Sequence, residues 1–80
     1  MLMDISVEIQ AWGQLEASGC AHGWFRAATF RNPKSLDIGY LKPLIKEIIE
    51  RNRKVISAPM ARLIFRKNGK KYMTLDMYDL

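Results

Sequence analysis

The sequence predicts an α+β fold: a small two-layer ββαββ domain, with an antiparallel sheet packed on one amphipathic helix. Three observations predict it. Residues 3–11 alternate apolar and polar side chains. Residues 41–49 repeat apolar side chains at helical spacing. Asn68-Gly69 separates two further runs that alternate.

In the first strand Met3, Ile5, Val7, Ile9 and Ala11 fall on one side, and Asp4, Ser6, Glu8 and Gln10 on the other. Period two over this length, with β-branched residues at the apolar positions, reads as a strand with one buried face. A helix would scatter Ile5, Val7 and Ile9 around its circumference. Residues 13–23 hold three glycines and read as a long hairpin loop, with a short helical turn at Gln14–Ser18. Residues 24–31, WFRAATFR, suit a second strand of mixed faces and unassigned register. Asn32-Pro33 ends it, because proline lacks the ladder donor.

The helix carries Leu41, Leu44, Ile45, Ile48 and Ile49 at i, i+3, i+4, i+7 and i+8. Pro43 is harmless only in a first turn, so a start near Tyr40 is expected. Glu47–Arg51 and Glu50–Lys54 are i,i+4 pairs in the favourable order. Burying the stripe contributes on the order of 10 kcal/mol before ordering entropy. For the last hairpin a three-residue loop, Lys67-Asn68-Gly69, with a G1 bulge is expected. It gathers Ala61, Leu63, Phe65, Met73, Leu75 and Met77 on one face. Arg62, Ile64, Arg66, Lys70, Tyr72, Thr74 and Asp76 take the other. A winged helix, with this hairpin as the wing, would need two more helices before it, and residues 3–31 do not read that way.

Eighty residues make a single domain, 1–80. A chain this short buries only roughly 60–65% of its unfolded surface, so a homodimer would help its core. The acidic first strand of one copy and the basic hairpin of another could meet in such a dimer. The single cysteine, Cys20, fits a reducing compartment. The start has no basic n-region and no long apolar run, so a cytoplasmic protein without a membrane partner is expected.

No catalytic or cofactor motif emerges. Cys20 and His22 lie two residues apart, but one Cys and one His do not complete a tetrahedral zinc site. The plainer reading is a polar loop. The glycines match neither GxGxxG nor GxxxxGK[ST]. Glu47 and Glu50 are accounted for by helix pairs, and no carboxylate pair stands out for acid–base work. A non-enzymatic protein without metal or cofactor is expected.

Charge placement is the strongest signal. The net charge is +5. Residues 1–25 carry Asp4, Glu8 and Glu16 and no cation, whereas residues 51–71 carry Arg51, Arg53, Lys54, Arg62, Arg66, Lys67, Lys70 and Lys71 and no acid. Such polarity creates a strong local field. Lysines also guard edge strands against sticking, which explains part of the run. The remainder suits phosphate contact, with Tyr72 placed to stack on a base. A small accessory or regulatory protein that binds DNA or RNA is the first expectation. The second is an inhibitor or subunit that docks an acidic protein surface, anchored by Trp12, Trp24, Tyr78 and Leu80.

Overall fold

The structure is a computed structural model that describes residues 4–14 and 22–80. Strands β1 (Ile5–Gln14) and β2 (His22–Arg31) come first, then helix α1 (Ile38–Arg51), then strands β3 (Ile56–Lys67) and β4 (Lys70–Met77). This is the expected ββαββ order. The first hairpin extends further than expected, because Trp12 pairs with Trp24, Gly13 with Gly23 and Gln14 with His22. Most of the loop, with the turn expected at Gln14–Ser18 and with Cys20, lies outside the described residues. No helix among the described residues is long and apolar enough to cross a membrane.

The strands form one antiparallel sheet in the order β2-β1-β3-β4. β1 is therefore an interior strand, and its alternation decides which side of the sheet is dry. Val7 pairs with Phe65, Ile9 with Leu63 and Ala11 with Ala61, and all six are buried. Leu41, Ile45 and Ile48 of α1 complete this core, with Ala28, Phe30, Leu75 and Met77 packed around it. The acidic first strand and the basic third are thus neighbours within one chain. No second copy is needed to bring them together.

Two asparagines hold the start of β1. Asn32 and Asn68 both have positive φ, 48° and 52°. Asn32 donates its N–H to the Ile5 carbonyl at 2.7 Å, and its Oδ1 accepts the Ile5 N–H at 3.0 Å. Asn68 repeats this on Asp4, at 2.7 and 3.0 Å. Each asparagine satisfies a backbone donor and acceptor just where a strand pairing ends, and the left-handed backbone suits Asn above other side chains.

The helix starts at Ile38 rather than near Tyr40. The Asp37 carbonyl accepts the N–H groups of Tyr40 and Leu41, both at 3.0 Å, and so opens the helix earlier. Pro43 then lies past the first turn and forgoes the bond a residue there would give to Gly39. At the other end Asn52 closes the helix: its N–H reaches Ile48 and Ile49 carbonyls, and its side-chain amide donates to Ile48 at 2.8 Å. Lys54 is therefore beyond the helix. Glu50 pairs instead with Arg53, at 3.0 Å, while Glu47–Arg51 forms as expected at 2.6 Å.

The second hairpin also differs from expectation. Its loop is the two residues Asn68-Gly69, both at positive φ, flanked by the pair Lys67–Lys70. That is a type I′ turn, whose twist matches the strands. The register is corrected further along. Arg66 faces Lys71 and Phe65 faces Met73, so Tyr72 is a bulge. The bulge restores the expected apolar face while allowing the shorter loop, but Lys71 rather than Lys70 takes the outer-face place beside Arg66, and Lys70 pairs with Lys67 in the row of Ile5. It also turns Tyr72 away from Arg62 and Arg66, to lie beside Phe65 with ring centroids 6.3 Å apart.

At the far end of the sheet the chain leaving α1 crosses Gly13 closely. Gln14 N–H donates to the Val55 carbonyl at 2.7 Å, and a Cβ on Gly13 would stand 2.0 Å from that oxygen. Both clashing groups are backbone, so neither can turn aside. Gly13→Ala is expected to destabilise the fold by about 3 kcal/mol, measured as a lower urea midpoint.

Candidate nucleic-acid interface

The sheet face opposite α1 is built in rows across the strands. Ser6 pairs with Arg31 on one side and Arg66 on the other, and Arg66 pairs with Lys71. The row Arg31–Ser6–Arg66–Lys71 thus spans all four strands. With strands spaced about 4.8 Å, its outer members stand roughly 14 Å apart. The next row is Thr29–Glu8–Ile64–Thr74, and the third is Arg26–Gln10–Arg62–Asp76. Trp24 and Trp12 follow.

Glu8 is the anchor of this face. It is buried, with its side chain only 11% exposed. Its Oε1 accepts Arg66 Nη1 at 2.6 Å and its Oε2 accepts Gln10 Nε2 at 2.7 Å. Burial pushes the carboxyl up. Hydrogen bonds from Gln10 and Arg66, with the charges of Arg66 and Arg26, outweigh it and hold the pKa below the ordinary 4.5. One row further, Arg62 Nε donates to Asp76 Oδ1 at 3.0 Å. The same guanidinium lies over the Trp24 ring, 4.3 Å from its centroid. Trp12 meets Trp24 edge to face at 5.4 Å.

The predicted basic residues therefore divide. Arg62, Arg66, Arg51 and Arg53 each have a carboxylate partner. Those partners are either on another strand or just upstream on the helix, which is why a window of residues 51–71 shows none. Among the described residues Lys54, Lys67, Lys70 and Lys71 form no ion pair, and all four are exposed. Lys54 stands with Arg53 just beyond the C-terminal end of the helix, next to Arg51 of its last turn and apart from the hairpin tip.

The tip end gathers more cation than the hairpin supplies. Asn32 bonds to Ile5 and Asn68 to Asp4, so the end of β2 and the second hairpin's turn flank the same end of β1. Arg31, exposed and without an ion pair among the described residues, joins Lys67, Lys70 and Lys71 there. Arg31 was missed because β2 had no assignable register. A bulge separates Ile9–Ala28 from Gln10–Arg26, so Trp24 and Arg26 share a face with Thr29 and Arg31 despite opposite parity. Tyr72 is half exposed but belongs to the helix side.

The protein-docking anchors are less available. Trp12 and Trp24 cover each other, and Leu80 is tied down by its N–H to the Pro59 carbonyl at 2.9 Å and packs on the core. Tyr78 remains exposed. No cluster of three or more His, Cys, Asp or Glu among the described residues could hold a metal ion.

The lowered pKa of Glu8 has a definite consequence for stability. A depressed folded pKa gives stability that is complete above the unfolded value, near 4.5, and lost as pH falls through the folded value. Wild type is expected to lose stability as pH is lowered below about 4.5, and Glu8→Gln to flatten that part of the curve. Urea midpoints measured across that range check this. A search of family models, of curated proteins and of solved structures finds no match to this chain.

Proposed function

We propose that this chain is a small non-enzymatic nucleic-acid-binding module, of accessory or regulatory role, working in a reducing compartment such as the cytoplasm. Its contact is the tip end of the sheet. Arg31, Lys67, Lys70 and Lys71 neutralise phosphates, and Arg66, partly screened by Glu8, lines the row between them. The observation that carries the reading is the convergence, at one end of the sheet, of four cations without carboxylate partners among the described residues: Arg31 and Lys71 in the outer-face row, and Lys67 and Lys70 in the next row at the turn. Arg62, Arg51 and Arg53 drop out of the contact because their charges are already answered. Tyr72 drops out because its ring lies against Phe65 of the helix-side layer, away from the tip cations.

Contacts of this kind position a nucleic acid without reading its sequence. They also release counterions, so binding is salt-dependent in proportion to their number. A protein partner with an acidic surface is the weaker reading, since Tyr78 is the one strongly exposed residue of the four expected anchors.

Fluorescence anisotropy with labelled single- and double-stranded DNA and RNA tests the proposal. Four duplex phosphate contacts predict about a 150-fold loss of affinity between about 50 and about 200 mM salt. Lys67→Glu/Lys70→Glu should weaken binding to every probe alike and reduce the salt slope. Arg62→Gln should leave both nearly unchanged. Weak binding to all probes at the lower salt would overturn the reading and assign the charges to a protein partner.

A further inference from the structure

β2 and β4 are the two edges of the sheet, but they are finished differently. On the helix side of β2, Ala27, Ala28 and Phe30 pack against the core. On β4, Leu75 and Met77 do so, while Met73 is 47% exposed although it faces the buried Phe65. Tyr72 beside it is also exposed. The first half of β4 carries two edge guards, the lysines 70 and 71 and the Tyr72 bulge. Residues 73–76 have neither lysine nor bulge.

We propose that β4 is a dimerisation edge: a second copy of the chain adds its own β4, antiparallel, about a two-fold axis through Thr74. The pattern of β4 is self-complementary in this register. Thr74 meets Thr74 of the second copy on the outer face. Met73 meets Leu75 of the second copy on the helix side, and the axis repeats this pair. Past the bulge, Lys71 meets Asp76 of the second copy on the outer face. Both belong to that face, because they pair with Arg66 and Arg62. Unlike charges directly opposite stabilise a strand pair, and like charges disrupt it. A two-fold on Leu75 would also join apolar side chains, but it sets Asp76 opposite Thr74 and offers no opposite charge.

The union joins two four-stranded sheets into one and covers Met73. Asp76 accepts Arg62 Nε through Oδ1 at 3.0 Å and the Tyr78 hydroxyl through Oδ2 at 3.5 Å, and each carboxylate oxygen keeps a further lone pair for the incoming Lys71. The two hairpin tips end at opposite ends of the joined sheet. In the dimer Lys71 turns to its carboxylate and leaves phosphate contact to Arg31, Lys67 and Lys70 at each tip. The four-contact salt dependence belongs to the single chain, and three contacts per tip give about a 40-fold loss over the same salt range. The inference does not rest on the phosphate reading, because its test contains no nucleic acid.

The charge pair gives a test by exchange. Lys71→Asp alone faces Asp76 with an acid, and Asp76→Lys alone faces Lys71 with a base. Mixed together, the two variants restore attraction at both contacts. The aspartate introduced at position 71 of one meets the lysine introduced at position 76 of the other, and the native Lys71 meets the native Asp76. Light scattering on the eluting full-length protein is expected to give the mass of two chains for wild type. Each variant alone should give one chain, and their equimolar mixture two. A wild type that elutes as one chain at every concentration would overturn the proposal. So would variants that stay dimeric alone, or a mixture that fails to associate. If Asp76→Lys unfolds on losing the Arg62 contact, wild type and Lys71→Asp still decide.

Discussion

Everything in this molecule hangs on β1 being an interior strand. It pairs along both edges, so its alternation sets the dry and wet sides for β2 and β3 at once. Its start is held between Asn32 and Asn68, each bonding one residue through backbone and side chain together. Its end is fixed where Gly13 passes under the Val55 carbonyl. A slip by one residue would turn Val7, Ile9 and Ala11 to solvent and bury Glu8 against the helix. The register is therefore guarded at both ends as well as by the core.

That same pairing changes the meaning of the charge pattern. Along the chain the acids and the bases are segregated, but in the sheet they interleave. Glu8, from the acidic segment, is the counter-ion of Arg66, from the basic one. A partly buried carboxylate with two hydrogen-bond donors is costly to strip of either, so Arg66 is held as a structural group. What remains free is smaller than the acid-free run implies but better placed. Arg31 comes in from β2 to meet the lysines of the tip. Long-range placement, not local density, decides which cations can meet a phosphate.

The strongly periodic features were readable from the residues. Alternation gave β1 and its dry face, the 3.6-residue repeat gave α1, and the apolar matching gave the apolar face of the last hairpin but not the membership of its outer face. Two bulges account for much of what was not. The one beside Ala27 switches parity within β2 and makes its faces look mixed, which hid Arg31. The one at Tyr72 let a two-residue turn coexist with the apolar register, so matching faces pointed to the wrong loop length. A bulge leaves no mark in a pattern except the loss of pattern. The β1–β3 register joins residues 43 to 62 positions apart, and no local rule reports that Glu8 and Arg66 meet.

The free tip cations and the paired face cations make separable claims about where a ligand touches. Amide chemical-shift mapping during titration with a short single-stranded oligonucleotide, and then with a duplex, tests the difference directly. Perturbations concentrated at Arg31 and at residues 66–71 are expected, with Trp12, Trp24 and the C-terminal residues quiet. Perturbations centred on Trp12, Trp24 and Tyr78, with the tip unmoved, would contradict the account and place the working surface at the opposite end of the sheet.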